Sequence, residues 1–349
     1  TYRSYFWTRS SASGRFIAHG VAGVAGSYII DLQRTDNPAT AADETLVPIA
    51  NTQYDPSFFP DDGGFMFQGG TVGAKNNTCA MSVLTSNPAA VSMTEVGCTV
   101  STTVGLYQHV GRALDGDSFA IDSQFTNDNG PGATNNGPGY DADATVPGAE
   151  LDPRTEFSSR GRIDFTPLMF DGTRYVPRPM VHLDTPYEGD TVLSPSARLV
   201  MSRVADPIDR QLGYVLRRVD ATQAGNSYMI EVPEIARYCI KGAKPSFSFD
   251  ERYVVYHHYV GNTPADAIEL GFTGTSDPGF QPYLQDGAAN LYLMELTTGV
   301  TRRLTSMHPG QFALFPHFRS DGWIYADVRD RNTDHEYMIA HDGALILEQ

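Results

Sequence analysis

The stretch KPSFSFDERYVVYHH, Lys244–His258, carries the pattern on which the fold depends. A proline and two aromatic residues lead into a polar turn with Asp250, and an apolar run follows. Asp, Ser and Gly tolerate the tight backbone of a turn. An apolar run such as RYVVY suits a strand that packs between two neighbouring sheets. The stretch therefore predicts a β-hairpin.

This hairpin pattern recurs along the chain. Related stretches cover Tyr5–Gly20, Tyr54–Gly70, Gly105–Ser123, Thr191–Val204, Lys244–His258 and Leu314–Val328. Their turn anchors, which are Gly14, Gly63, Gly116, Ala197, Glu251 and Gly322, stand 49, 53, 81, 54 and 71 residues apart. Three of these five spacings lie near 50, and a period of that size in a β-rich chain indicates a propeller rather than a helical solenoid.

A second hairpin follows most copies. The clearest is NLYLMELTTGVTRRLT, Asn290–Thr305, and further ones lie in Thr78–Cys98, Arg162–Pro179 and Glu336–Gln349. Two hairpins make the four strands of one propeller blade. We therefore expect an all-β fold, a six-bladed β-propeller with four-stranded antiparallel blades that spans residues 1–349 as one domain. The last blade is expected to end with its own outer strand, and the stretch Glu231–Cys239 is too short for a helix that matters.

Composition limits the classes of partner. The chain has 349 residues, of which 41% are hydrophobic, so it can bury a large core. With 25 Lys and Arg against 41 Asp and Glu, its net charge is −16. Such a charge disfavours nucleic acid and anionic membranes and favours cations and basic partners. No apolar run approaches the roughly 18 residues of a membrane span.

The repeats resemble those of TolB-like β-propellers. That family carries a box P-x-F-S-P-D-G-x-x-φ-x-F followed by φ-Y-φ-x-x-φ-x-x-G-x-x-x-x-L-T, where φ is apolar. PSFSFDERYVVY with NLYLMELTTGVTRRLT matches well, as does PHFRSDGWIYADV, whereas copies one and three are degenerate. The resemblance implies a propeller of six or seven blades, usually extracytoplasmic in bacteria. Its members include protein-binding modules, propellers attached to peptidases, and polysaccharide lyases with a metal in the central pocket.

Three functions remain open at this stage. The first is a non-catalytic periplasmic or secreted propeller that binds a protein or glycan through its loop-decorated face. The second is a metal-dependent polysaccharide lyase or hydrolase with a histidine cluster in the central tunnel. The third is a structural subunit of a cell-surface assembly. A nucleophile elbow G-x-S-x-G, an HExxH motif and a phosphate loop are all absent from the sequence, which favours the first.

Cysteine spacing predicts a disulfide. Cys79 and Cys98 lie symmetrically about the turn in SNPAA, so they face each other if the hairpin is simple and antiparallel. A cross-strand disulfide implies an oxidising compartment. The alternative is two buried free thiols in a cytosolic protein. Cys239 is left over and is expected to be a buried, inert thiol.

The enlarged spacings place two long insertions, at about residues 125–157 in blade three and 260–290 in blade five. Long ordered loops are often functional. The first insertion carries five carboxylates that are candidate calcium ligands, although their spacing is not that of an EF-hand: Asp128, Asp141, Asp143, Glu150 and Asp152. In the second, Phe272, Phe280 and Tyr283 either bind a sugar or protein partner or hold the insertion against the ring.

Histidines are the candidate ligands of a transition metal. His109 and His317 fall in first strands, which line a propeller's central tunnel, and His182 lies just before the fourth copy. We therefore predict His109, His182 and His317 as ligands if a tunnel metal exists. His19, His257 and His258 end second strands. A lone histidine in a strand is more often a hydrogen-bonded structural residue, and the lyases' catalytic residues cannot be matched here position by position.

Overall fold

The computed structural model describes residues 6–20, 27–32, 45–49, 52–69, 80–84, 93–97, 103–112, 117–126, 162–172, 175–206 and 212–348. These residues form mostly β-sheet, with two short α-helices and a terminal 3-10 helix. No helix in these ranges has the length and apolar character needed to cross a membrane.

The strands form consecutive antiparallel sheets. The first sheet contains β1 (Phe6–Ser10), β2 (Phe16–Gly20), β3 (Ser27–Asp31) and β4 (Thr45–Ile49). The second contains β5 (Thr52–Phe58), β6 (Phe65–Gly69), β7 (Ala80–Leu84) and β8 (Met93–Gly97). The third contains β9 (Thr103–Arg112), β10 (Ser118–Thr126), β11 (Arg162–Phe170), β12 (Tyr175–Pro177) and β13 (Val181–Asp184), and both β12 and β13 pair with β11.

The C-terminal half continues this order. The fourth sheet contains β14 (Glu188–Leu193), β15 (Leu199–Ala205), β16 (Leu212–Arg218) and β19 (Glu234–Tyr238), and a separate hairpin of β17 (Asp220–Ala224) and β18 (Ser227–Glu231) precedes β19. The fifth contains β20 (Ala243–Phe247), β21 (Tyr253–Tyr259), β22 (Ala289–Glu295) and β23 (Thr301–Arg303). The last contains β24 (Gln311–Phe318), β25 (Ile324–Asp330) and β26 (His335–His341), and one parallel bridge, Ala289 to Phe312, joins β24 to β22.

The first strands of the six groups contact one another in a cycle. β1 contacts β5, β5 contacts β9, and the order continues through β14, β20 and β24 back to β1. Apolar clusters fill the space between consecutive sheets; one joins Met201 and Tyr214 of the fourth sheet to Val254 and Tyr256 of the fifth. Because both faces of the fourth and fifth sheets are covered, their second strands β15 and β21 are buried along most of their length, whereas β25 of the last sheet alternates. This arrangement is consistent with a β-propeller.

The hairpin turns share one geometry. A residue with positive φ occupies the same place in each described turn: Gly14, Asp62, Ala197, Glu251 and Gly322. The backbone N–H of that residue donates to the residue three positions earlier, as from Glu251 to Ser248 (3.0 Å). The sequence anchors are therefore right in four turns. In the second copy the anchor is Asp62 rather than Gly63, and Gly116 lies outside the described residues.

Three expectations need correction. The described part of the last sheet has no fourth strand, because Leu345–Glu348 forms a 3-10 helix. Ala344, just before this helix, packs against Tyr253 and Phe318. Cys239 is exposed rather than buried, since it follows β19 at the outer edge of the fourth sheet. The insertion between β21 and β22, expected as a long loop, contains two short helices, α1 (Pro264–Glu269) and α2 (Gln281–Asp286).

Candidate functional site

A pocket lies where the first strands end. Its volume is about 580 Å³, including space open to solvent, and β1, β5, β14, β20 and β24 contribute to its wall. Most lining side chains are apolar. The described lining residues are Arg9, Ser10, Ala12, Ser57, Phe58, Phe59, Pro60, Val192, Leu193, Pro195, Ser246, Phe247, Phe249, His317 and Phe318.

One repeat position builds much of this wall. Each of these five first strands carries a bulge or irregularity in its pairing with the second strand, at the same place in the repeat. Bulges turn a strand and re-aim its side chains. In four of these strands the residue at which regular pairing resumes lines the pocket, and in β1 the next residue does so. These five residues are Arg9, Ser57, Val192, Ser246 and His317. In three copies this residue directly follows the proline of the box, so the position after that proline is a sequence signal for the pocket wall.

His317 is neutral and is already fully engaged. The Ser10 backbone N–H donates to His317 Nε2 (2.8 Å), so Nδ1 carries the proton and faces the Phe315 carbonyl (3.4 Å). Burial, followed by the charge of Arg9, lowers the pKa of His317 to about 3. Ser10 Oγ lies 2.9 Å from the same Nε2. A general base works best with a pKa near the operating pH, so this serine–histidine pair has a structural geometry rather than that of an activated nucleophile.

Arg9 supplies the positive charge of the pocket. It is only 8% exposed, and its Nη1 donates to the Pro316 carbonyl (3.3 Å), next to His317. Asp327 of β25 lies near this guanidinium. Burial raises the pKa of Asp327 to about 7, although the Thr8 N–H and Arg9 act in the opposite direction. The described lining residues include no Asp or Glu.

A buried ionic cluster lies between the fourth and fifth sheets. Asp190 Oδ2 accepts from Arg203 Nη1 (2.5 Å), and its Oδ1 accepts from Lys244 Nζ (2.7 Å). Burial alone would raise the pKa of Asp190, but Lys244 and Arg203 outweigh it and hold the pKa well below the usual range. Burial and the same two cations lower the pKa of the neighbouring His257. Asp190 is thus paired with two cations, and its contact with Lys244 joins the first strands β14 and β20.

Of the predicted metal ligands, His182 and His317 lie on different sheets, and a site that includes His109 stays a prediction. His182 lies on β13, where its Nδ1 contacts Oδ1 of the buried Asp164 (2.6 Å) and its side chain is 43% exposed. His317 lies instead on β24 in the central pocket. His109 is on β9, a first strand as predicted, but its side chain is outside the described part. Across the described ranges, no three His, Cys, Asp or Glu side chains are grouped as a metal site requires.

Two further predictions fall on residues that are not described. The candidate calcium ligands Asp128, Asp141, Asp143, Glu150 and Asp152 all lie there, so a calcium site stays a prediction. Cys79 and Cys98 lie there as well. β7 pairs with β8 with Ala80 opposite Gly97, which is the register that the hairpin prediction used, and the disulfide itself stays a prediction.

The insertion aromatics pack on one another. Ring centroids of Phe272 and Phe280 are 5.6 Å apart, and those of Phe280 and Tyr283 are 6.0 Å apart. Phe280 is fully buried in a small apolar cluster with Val260 and Ala267. These contacts hold the insertion together, whereas the sequence suggested either a binding role or packing against the ring. A binding role for the half-buried Phe272 and Tyr283 stays a prediction.

A second depression continues the apolar surface. It lies at the turns between the fifth and last sheets, has a volume of about 520 Å³, and shares Phe249 and Phe318 with the central pocket. Its lining includes Leu345 and two exposed carboxylates, Asp250 and Asp321. The central pocket therefore opens onto an apolar surface that carries acidic groups.

Comparison with known proteins identifies no family. No family model matches the chain, and none of the curated proteins matches it. Among solved structures, the chain is similar to an oligogalacturonate lyase from Vibrio parahaemolyticus, with 11% identity, a TM-score of 0.45, and coverage of 97% of this chain and 90% of that one. It is also similar to the β-propeller domain of the Trilobed protease from Pyrococcus furiosus, with 9% identity, a TM-score of 0.42, and coverage of 98% and 95%. At these scores the similarities carry no information on activity.

Proposed function

We propose that this chain is a six-bladed β-propeller that binds a partner protein, with an apolar side chain of the partner seated in the central pocket. The observation that supports this proposal is the pocket itself. Five first strands line it, mainly with Phe, Leu, Val and Pro. Concave, largely apolar pockets with a few polar groups are the usual form of binding sites. The blade number is supported by the cyclic contacts of the six first strands.

The lining favours a protein over a glycan. Its aromatic residues are all Phe, among them the half-buried Phe249, and its polar side chains are three serines, Arg9 and His317. A sugar ring requires many hydrogen-bond partners for its hydroxyls, whereas an apolar side chain requires only shape and area. Asp250 and Asp321 at the neighbouring surface, together with the net charge of −16, favour basic residues beside the apolar anchor.

The binding face proposed here differs from the one expected from sequence. The pocket lies at the C-terminal ends of first strands, beside the hairpin turns. Both insertions instead follow the ends of second strands, β10 and β21. Consecutive antiparallel strands run in opposite directions, so the second insertion begins at the end of its sheet opposite to the pocket. We therefore assign binding to the turn face. A metal-dependent lyase activity and an extracytoplasmic location stay predictions from the resemblance.

The test uses short synthetic peptides with a fluorescent label. Each carries a Phe, Leu or Ser anchor, in the middle or at the end, flanked by Lys or by Glu, and binding is measured by fluorescence anisotropy. We expect Phe and Leu peptides with Lys flanks to bind most tightly. Replacing the anchor by Ser should weaken binding by about tenfold to a hundredfold, because burial of one large apolar side chain contributes about 1.5–3 kcal/mol.

A pocket-filling variant locates the site. Ser246→Trp places a large ring at the half-buried wall position and should abolish peptide binding. Thr222→Trp, on the exposed hairpin strand β17, is the matched control and should bind like the wild type. The proposal is wrong if both variants bind equally well, or if neutral oligosaccharides bind and the peptides do not.

A further inference from the structure

The separate hairpin of β17 and β18 ends in an unprotected edge strand. Among the described strands β17 pairs with β18 alone, and all five of its side chains are exposed. Its sequence, DATQA from Asp220 to Ala224, contains no Pro or Lys, and its pairing with β18 has no bulge. Pro, Lys and bulges are the usual features that keep an exposed edge from pairing with another strand. The edge of β17 is therefore suited to accept a further strand.

The hairpin is fixed to the ring by its other strand. β18 contacts β13 of the third sheet. The Tyr228 hydroxyl donates to Asp117 Oδ2 (3.0 Å), and its ring packs edge-on against Phe119, with 5.0 Å between the ring centroids. At the turn, Arg178 Nη1 donates to Asn226 Oδ1 (2.7 Å). Because these contacts come from β18 and the turn, the hairpin is held in place with β17 as its outer strand.

The turn determines which backbone groups of β17 point outward. Gly225 has a φ of 64° at the first position of a two-residue turn, as type II′ hairpins require. The residues that flank such a turn, Ala224 and Ser227, exchange both hydrogen bonds, and bonded and outward positions then alternate along the strand. The N–H and C=O groups of Ala221 and Gln223 therefore point away from β18.

We infer that this edge binds the same edge of a second copy of the chain, antiparallel and with Thr222 opposite its counterpart. The outward positions lie one residue to either side of Thr222, so Ala221 of each copy faces Gln223 of the other and exchanges both hydrogen bonds with it. The central pair is Thr–Thr, which is favourable across strands, and Asp220 faces the small Ala224. The two hairpins then form one four-stranded sheet with a twofold axis.

Charge and symmetry favour a second copy as the occupant. The outward positions of β17 are symmetric about one small, neutral residue, so no like charges and no bulky side chains meet when the strand pairs with itself. The contact is short, which makes the dimer weak. β17 contributes no described residue to the central pocket, so this inference is independent of the proposed function.

Sedimentation velocity of the full chain over a range of concentrations tests for the dimer. We expect the weight-average mass to rise with concentration from that of one chain toward that of two. The rise should be steeper in high salt, because salt screens the repulsion between two copies that each carry a net charge of −16. In residue-resolved amide hydrogen exchange, Ala221 and Gln223 should become protected as the dimer forms, while Thr222, which already bonds to β18, should change little.

Charge variants at the twofold axis test the register. Thr222→Lys places two like charges face to face and should weaken the dimer at least about tenfold, and Thr222→Asp should do the same. An equal mixture of the two variants should associate again, because unlike charges then meet. Met229→Lys is the matched control: it makes the same change of charge on β18, one strand away from the axis, and should dimerise like the wild type. Both positions are exposed, so the variants keep the fold.

The results that would overturn the inference are distinct. A chain that stays monomeric at all concentrations excludes the dimer. A dimer that Thr222→Lys leaves unchanged, or that does not protect Ala221 and Gln223, uses another surface. A mixture of the two charge variants that does not associate excludes the register. Restored association of the mixture, with an unaffected Met229→Lys control, supports the twofold pairing of β17.

Discussion

A carboxylate at the turn anchor links one repeat to the previous one. Glu251 Oε1 accepts from the Ser196 backbone N–H (2.8 Å), across the junction of the fourth and fifth sheets. Asp62, the anchor of the second copy, accepts in the same way from the Ser13 N–H (3.3 Å). The anchor thus has two roles: its positive φ closes its own hairpin, and its side chain fastens the neighbouring one.

Replacement of the Glu251 carboxylate tests this link. Glu251→Ala leaves the Ser196 N–H without its acceptor, and we expect the free energy of unfolding to fall by about 1–2 kcal/mol, the usual range for a partly exposed hydrogen bond to a charged group. Glu251→Gln keeps an acceptor oxygen and the same backbone conformation, so it should lose clearly less. Urea unfolding of both variants measures the difference. Equal losses would mean that the negative charge of the carboxylate, which both variants lack, matters and the acceptor oxygen does not.

At the residue scale the sequence predicts backbone roles better than side-chain partners. The anchors Gly14, Ala197, Glu251 and Gly322 could be found because turn residues recur at a fixed place in the repeat. The ligation expected of His317 could not be checked from sequence, since its partner Ser10 is 307 positions away. For His182 the sequence indicates only its place before the fourth copy, whereas the structure shows its contact with Asp164 on another strand of the same sheet.

At the element scale, the second insertion behaves as a small unit with its own core. The Val260 N–H donates to the Ala288 carbonyl (2.9 Å) and closes its base, and His258 Nε2 contacts Asp266 Oδ1 (2.9 Å) at its first helix. Phe280 fills its centre. Since the closing bond brings the two ends together, we expect the segment to open without breaking the hydrogen bonds between β21 and β22.

Truncation of the central aromatic tests this independence. Phe280→Ala removes a fully buried ring, and such changes cost about 3–5 kcal/mol. We expect faster amide hydrogen exchange within residues 260–288, with unchanged protection in β14, β15 and β16. Ile268→Ala, at a side chain that is 63% exposed in the same insertion, is the control and should change neither. A similar loss of protection in the fourth sheet would contradict the independent unit.

The sequence predicts strands and turns correctly where a few neighbouring residues determine them. The strands around Lys244–His258 and the turn in Asn290–Thr305 form as the sequence indicates, because turn residues and apolar runs act over a few positions. The outer positions were harder. Glu234–Tyr238 forms an edge strand, but its exposed, charged side chains give no recognisable strand pattern in the sequence. Leu345–Glu348 forms a 3-10 helix, in which Leu345 packs over Gly322 instead of pairing with β26.

At the scale of the whole molecule, noncovalent contacts join the first sheet to the last. The Ser10 N–H donates to His317, and the Ser320 N–H donates to the Ala12 carbonyl (2.9 Å). The Thr8 N–H donates to Asp327 Oδ2 (2.9 Å). The described sheets exchange no strand between the chain's two ends, so these side-chain and turn contacts, with the packing of β1 on β24 and β25, provide the closure. Closure of this kind is sensitive to the ionisation of its members.

Asp327 makes that sensitivity measurable. Burial raises its pKa from 3.8 to about 7, with Thr8, Arg9 and Glu336 as its polar and charged neighbours. The folded state therefore holds a proton that the unfolded state releases, and the stabilisation is complete below pH 3.8 and is lost as the pH rises to about 7. The slope from this one group is at most about 1.4 kcal/mol per pH unit.

Asp327→Asn removes this titration and keeps an oxygen that can accept from Thr8. All other titrating groups are common to the variant and the wild type, so the difference between their free energies of unfolding isolates Asp327. We expect this difference to shift in favour of the variant from pH 4 to pH 7, and to level off above pH 7, in urea unfolding at fixed ionic strength. Asp334→Asn, at an exposed turn of the same sheet, is the control. A difference that is independent of pH would mean that Asp327 is solvated and ionised in the folded protein, and that the closure of the ring does not depend on its proton.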